Sequence, residues 1–222
     1  MEGKQREAIA RDLLDIGAVF LRPEQPFTWA SGIHSPIYTD NRLILSAPAV
    51  RGQVEQALAD TVKCHFPEAQ MLMGTATAGI AHAALAAALL GLPMGYVRSG
   101  NKSHGRENRI EGKLTAGERV VVIEDLISTG GSVLDVVHAL QDAGAEVLGI
   151  VCIFTYGMQK SREALSAEGI AMESLTDFDT ILDVAVQTGR LPAEQVPQLK
   201  QFRDHPADES WMAGIARNQK EE

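Results

Sequence analysis

The sequence predicts an α/β domain with a mostly parallel central sheet flanked by helices, and three observations carry that reading. Short apolar runs rich in β-branched residues, above all Val120–Ile123, have the composition of strands buried on both faces. Segments with apolar residues at helical spacing alternate with those runs along the chain. Turns of glycine and hydroxyl residues stand where strand gives way to helix, as at Ser128-Thr129-Gly130-Gly131-Ser132. In a parallel sheet such turns lie at the strand C-termini, where ligands bind.

The elements follow in order. Glu7–Phe20 has Ala8, Ile9, Leu13, Leu14 and Ile16 at helical spacing, ending near Gly17, and Pro23 and Pro26 then break regular structure. Phe27–Arg42 mixes aromatics with Ser-Gly and Ser-Pro turns, so it reads as a hairpin or irregular loop carrying a few strand residues. Pro48–Phe66 is a helix with Val50, Val54, Ala57, Leu58 and Val62 on one face. Met71–Met73 is a short strand, Gly74–Gly79 a turn, and Ile80–Leu90 an alanine-rich helix in which His82 is expected semi-buried. Met94–Val97 is a strand leading into the polar, basic stretch Arg98–Arg109, which reads as a mobile loop. Val120–Ile123 is followed by Glu124 and Asp125, the glycine turn, and a helix over Val133–Leu140 with Ser132 as N-cap. Ala145–Thr155 and Ile170–Leu175 are strands, and Arg162–Glu168 and Thr176–Thr188 are helices. The last stretch, with Trp211, carries no reading.

Composition narrows the function. With 222 residues and 45% hydrophobic content, the chain supports one core with a subdomain. Its 20 basic against 29 acidic residues argue against a chain devoted to nucleic acid, but leave room for an anionic substrate at a local basic cluster. Cys64 and Cys152 form no Cys-x-x-Cys pair, so zinc and redox motifs are absent and a reducing cytoplasm is the expected setting. Neither a signal-peptide core nor a membrane-spanning apolar run is present. No internal repeat appears.

A strand, two acids, a hydroxyl-rich glycine turn and a helix N-terminus together make a phosphosugar site. The turn's N–H groups and hydroxyls suit a phosphate, and the helix dipole adds to its binding. Ionised Glu124 and Asp125 would accept from sugar hydroxyls. The competing reading is a polar strand-end turn whose acids serve as helix caps. Gly74-x-x-x-x-Gly79 mimics half of a P-loop, but Ile80-Ala81 replaces the required Lys-Ser/Thr, which excludes that NTPase motif. This turn is either a backbone-amide cradle for pyrophosphate or a tight turn whose small residues serve packing.

The string Val121–Ser132 resembles the phosphoribosyl-pyrophosphate (PRPP) motif of type I phosphoribosyltransferases, with acids, two apolar residues, then Ser128-Thr129-Gly130-Gly131-Ser132. Thr75, Ala76, Thr77, Ala78 and Gly79 resemble that family's pyrophosphate loop, without the Lys that some members carry at Ala78. Phe27-Thr-Trp-Ala-Ser-Gly-Ile-His-Ser-Pro-Ile-Tyr-Thr39 is similar to the base-binding segment of orotate phosphoribosyltransferases. Arg98, Lys102 and His104-Gly105, followed by Ile110-Glu111-Gly112, resemble their catalytic loop.

The resemblance implies a type I phosphoribosyltransferase fold with a small N-terminal hood (about 1–45), a core (about 46–190) and a tail (191–222). It implies transfer of phosphoribose from PRPP to orotate, with Lys102, Asp125 and Glu124 catalytic. PRPP would be held by Arg98, Lys102, His104, Glu124, Asp125, Leu126, Ile127 and Ser128–Ser132. Orotate would lie by Ile37, Tyr38, Thr39 and Ser128. Mg²⁺ would be held through PRPP with no direct protein ligand. Each 98–109 loop would cover the partner's site in a homodimer, with no nucleic-acid or membrane partner. Four departures stand out: Ala30 and Tyr156 replace a Lys and an Arg of the enterobacterial pattern, and Gly100-Asn101 replaces the Lys-Pro of the Gram-positive pattern. No carboxylate-binding arginine is therefore assigned. A purine phosphoribosyltransferase and a PRPP-sensing nucleic-acid regulator are the alternatives; the Phe27–Thr39 segment and the acidic balance argue against them.

Overall fold

The computed structural model describes residues 3–29, 32–98, 100 and 109–218. Helix α1 (Gly3–Asp15) leads into four short strands, β1 (Val19–Leu21), β2 (Phe27–Thr28), β3 (His34–Ser35) and β4 (Ile37–Thr39). A 3₁₀ turn, Asn41–Ser46, precedes α2 (Pro48–His65). Then come β5 (Met71–Thr75), α3 (Ala78–Leu90), β6 (Met94–Val97), β7 (Ile110–Glu111), β8 (Arg119–Ile127), α4 (Gly131–Asp142), β9 (Glu146–Thr155), α5 (Gln159–Ala167), β10 (Met172–Asp177) and α6 (Phe178–Gln187). The chain closes with α7 (Val196–Asp204) and α8 (Ser210–Asn218).

The sheet runs β10-β9-β8-β5-β6-β7, parallel except for the β6–β7 edge pair. Alternate residues of its central strands feed two cores. Leu72, Val121, Ile123, Val151 and Ile153 join one, and Met71, Met73, Val120, Val122, Ile150 and Cys152 join the other. That explains why β8 begins as a continuous β-branched run rather than an alternating one. In the N-terminal part, β2 pairs with β3 as a hairpin, while β4 turns back to pair antiparallel with β1.

Several expectations are corrected. The first helix starts at Gly3 and ends at Asp15; Gly17, at φ 68°, reverses the chain, and Phe20 belongs to β1. Strand β8 does not stop at Ile123. Its neighbour β9 continues alongside, pairing Glu124 with Cys152 and Ile127 with Thr155, so the acids lie inside the ladder. Ser132 is not an N-cap: Gly130, at φ 83°, takes that place, and α4 has no side-chain cap. Thr176 and Asp177 extend β10, and Asp177 caps α6 by accepting the Thr180 N–H at 2.9 Å. His82 is fully buried, its Nδ1 2.6 Å from Glu55 Oε1. The last stretch is structured too: Trp211 and Phe202 are fully buried and pack edge-to-face at 5.8 Å.

Candidate active site

Chain order along the sheet reverses between β5 and β8. The β5–α3 and β8–α4 turns therefore open on one crevice, the place where doubly wound sheets bind ligands. There Ala76–Ala78 face Glu124–Gly130, Ser132 and Val133 across a cavity of about 290 Å³. A larger groove of about 520 Å³ lies between α1 and α6, but its one cation on the wall, Arg6, is bound to Asp177 and Ser174. The crevice holds the convergent polar groups.

Its two acids differ. Glu124 is 7% exposed, and its Oε1 accepts from Thr75 Oγ1 at 2.6 Å and from the Asp125 N–H at 3.0 Å. Burial, with Asp125 alongside, pushes the Glu124 carboxyl up to about 8. The expectation of two ionised, acceptor-only acids is thus corrected for Glu124: protonated near neutrality, it can donate. Asp125 is half-buried, and its backbone carbonyl accepts from Asn41 Nδ2 at 2.6 Å.

The Glu124 shift has a pH signature. Between the ordinary carboxyl value of 4.5 and about 8, the folded chain holds a proton that the unfolded chain has lost. The stabilising contribution is full below 4.5 and fades as pH rises through 8, with a slope of at most about 1.4 kcal/mol per unit. Glu124→Gln should remove that slope. Urea midpoints of both proteins at pH 5, 7 and 9 check this; parallel curves would contradict it.

The glycine turn leaves its hydroxyls unengaged. Among the described residues the hydroxyls of Ser128, Thr129 and Ser132 make no hydrogen bond, and α4 begins uncapped behind them. Across the crevice, the peptide Ala76-Thr77 is cis, and Ala76, Thr77 and Ala78 line the wall. Thr75 and Gly79 stand behind it. A Cβ on Gly79 would meet Thr75 Oγ1 at 2.4 Å and the Ile123 carbonyl oxygen at 2.5 Å. Gly79 thus serves packing of α3 on the sheet, while residues 76–78 line the crevice.

A second pocket of about 200 Å³ adjoins the first and shares Leu126 and Ser128 with it. Trp29, Tyr38, Thr39 and Tyr156 complete it. Ile37 is fully buried behind it in the core. Tyr156 Oη lies 3.4 Å from Thr39 Oγ1, and burial pushes the phenol up to about 12, so it stays a donor. Sequence reasoning missed Trp29 and read Tyr156 only as an absent arginine. The one available signal was the tryptophan inside the aromatic Phe27–Thr39 segment. Cys152, opposite Glu124, is buried and its thiol is pushed up by that burial, which leaves it unreactive.

Lys102 and His104 lie outside the described residues. The ends of their loop are fixed at the sheet edge: the Arg98 N–H donates to the Arg109 carbonyl at 2.8 Å, and Arg109 pairs with Asp135 of α4 at 2.6 Å. Arg98 Nε is 3.2 Å from Glu111.

The phosphoribosyl transferase domain model matches residues 43–181, more than half of the chain. An orotate phosphoribosyltransferase of Bacillus subtilis (strain 168) is 55% identical over 213 residues, covering 95% of this chain and 99% of that protein. The chain belongs to the orotate phosphoribosyltransferase family. Solved members of similar fold include the orotate phosphoribosyltransferase of Aeropyrum pernix, at 29% identity and TM-score 0.73, covering 83% of this chain and 99% of that one. Leishmania donovani UMP synthase matches at 26% identity and TM-score 0.76 over 88% of this chain, which spans only 41% of that longer protein. Membership in the family gives the mostly parallel sheet and the switch-point crevice their established type, the type I phosphoribosyltransferase fold. No helix among the described residues is long and apolar enough to cross a membrane.

Proposed function

We propose that the chain transfers the 5-phosphoribosyl group of PRPP to orotate, giving orotidine 5′-phosphate and pyrophosphate in pyrimidine nucleotide synthesis. The observation that carries this is the joined pair of pockets. A phosphate turn and acid pair open, through Leu126 and Ser128, onto an aromatic-walled slot sized for a planar base. A sugar lying over Asp125 would present its C1′ to that slot.

The residues divide the chemistry. Breaking the C1′–pyrophosphate bond builds positive charge on the ribose and negative charge on the leaving group. Ser128–Ser132 and the α4 N-terminus anchor the 5′-phosphate, supplying binding energy remote from the reacting bond. Asp125 holds ribose hydroxyls and favours the cationic sugar, while protonated Glu124 donates or accepts beside it. Of the Thr75–Gly79 turn, residues 76–78 cradle the pyrophosphate, with Thr75 and Gly79 holding that wall from behind. Arg98, Lys102 and His104 stabilise its departure, and the closed loop excludes water that would trap the sugar cation. Tyr38, Thr39 and Ser128 bind orotate.

Among the described residues no three His, Cys, Asp or Glu side chains cluster to hold a metal. Two acids beside a phosphate turn fit Mg²⁺ carried mainly by the oxygens of PRPP, which is how this ion is commonly bound. Glu124 and Asp125 are the side chains near it. The ion supplies charge neutralisation at the diphosphate.

The working unit in this reading is a homodimer. Leu85 (39% exposed) and Leu89 (54%) lie four residues apart on α3, and Leu43 of the adjacent 3₁₀ turn is 40% exposed. Exposed leucines on two elements that touch each other suit burial against a second copy. The cytoplasm suits the free thiols Cys64 and Cys152. The test is direct: orotate absorbance should fall when PRPP and Mg²⁺ are added to the purified chain. Turnover of adenine, guanine or hypoxanthine in its place would favour the purine reading.

A further inference from the structure

The C-terminal helices have no part in the reaction described above, yet they touch the wall of the base slot. Trp211 of α8 packs edge-to-face on Phe202 of α7 at 5.8 Å between ring centres. Phe202 meets Trp29 at 5.8 Å, and Trp29 meets Tyr156 at 5.6 Å, both again edge-to-face. Trp211 and Phe202 are fully buried, whereas Trp29 and Tyr156 line the slot. Four aromatic rings thus run without a gap from the tail to the base.

The tail is fastened at both ends of that chain of rings. Asp179 of α6 pairs with Arg203 and, at 3.1 Å, with Lys200 of α7. Gln195 Nε2 donates to Glu24 at 3.2 Å, and Glu209 meets His34 Nδ1 at 2.6 Å on the strand paired with Phe27–Thr28. The Trp29 N–H donates to the Ile33 carbonyl at 2.9 Å and otherwise leaves its ring to be placed by packing. An indole on a short connection between two-residue strands gains its orientation from what presses on its far face, and here that is Phe202.

We propose that α7 and α8 are part of the base-binding apparatus: Trp211 and Phe202 are positioning residues that set Trp29, and through it Tyr156, against the planar base. This rests on the orotate reading, and deepens it by assigning the tail to base affinity rather than to PRPP binding. Among the described residues none of the four rings lines the PRPP crevice, which shares Leu126 and Ser128 with the slot and meets Tyr156 through the backbone bond from its N–H to the Ile127 carbonyl at 3.0 Å.

Steady-state kinetics on the full chain test it. Trp211→Leu and Phe202→Leu keep apolar bulk but lose the ring edges, and each should raise the orotate KM on the order of tenfold, with the PRPP KM unchanged. Trp211→Phe should restore an orotate KM near the wild-type value, since the Trp211 Nε1 has no acceptor among the described residues and the ring alone is needed. A wild-type orotate KM in both leucine variants, or an equal rise in both KM values, would overturn the proposal. Should the leucine variants not fold, hydrogen exchange on the wild-type chain decides. Orotidine 5′-phosphate should slow exchange in α7 and α8 through the same coupling, and unchanged exchange there would overturn it. If wild-type protein does not consume orotate at all, the functional reading fails, and not this one.

Discussion

Asp125→Asn should leave a folded chain with kcat lowered on the order of 10²–10³-fold, the range for a lost electrostatic group at a reacting centre. The fold should survive because an asparagine amide can still hydrogen-bond the Glu124 carboxyl that the Asp125 side chain meets, and two further contacts of Asp125 are made by its backbone. Its N–H donates to Glu124 Oε1 at 3.0 Å, and its carbonyl accepts from Asn41 at 2.6 Å. Asparagine keeps both and the side-chain volume, while removing the charge that favours a cationic sugar. Circular dichroism and a melting curve would establish the fold, and initial rates with orotate and PRPP would give kcat. Wild-type turnover in a folded variant would remove Asp125 from the reaction.

Lys102→Ala should cost on the order of 10²-fold in kcat, because a cation on the leaving group acts chiefly in the transition state. Mixing it with Asp125→Asn asks where the loop acts. In a dimer whose loops cross, one site of each mixed pair takes both defects and the other takes an intact loop and an intact acid. With random exchange half the dimers are mixed and half their sites intact, so about a quarter of wild-type activity per subunit should return. If each loop serves its own subunit, every site keeps one defect and activity stays low. Native mass spectrometry would show that mixed dimers had formed. The loop's ends are held together at the β6–β7 edge by the Arg98–Arg109 backbone bond.

The parts of this molecule that sequence alone revealed are those whose cause is local. Val120–Ile123 reads as a doubly covered strand because β-branched residues in unbroken succession have few other uses. The glycine turn after Asp125 stands out because its spacing and its residue types are both local, and the fold places it on the crevice. What stayed hidden depends on partners far along the chain. The burial of Glu124 is made by Thr75 on the neighbouring strand, and nothing in the acid pair itself distinguishes the two carboxyls. Gly79 resembles a loop glycine in sequence, but the carbonyl it must clear belongs to Ile123. Trp211 has no periodic or motif context; its meaning comes from Phe202 and Trp29, which only the folded chain brings beside it. Tyr156 was visible as a departure, and its place on the slot wall required the register of β8 against β9.

Helix α4 carries a consequence beyond catalysis. It starts after a left-handed Gly130 with no side-chain cap, and Ser132 and Val133 of its first turn, whose N–H groups have no partner within the helix, line the crevice. Natural helices usually close such an end with their own Ser, Thr, Asp or Asn, at a gain of about 1 kcal/mol. In the proposed reaction a phosphate docked on Ser128–Ser132 would accept from those N–H groups, and so cap the helix as well as occupy the site.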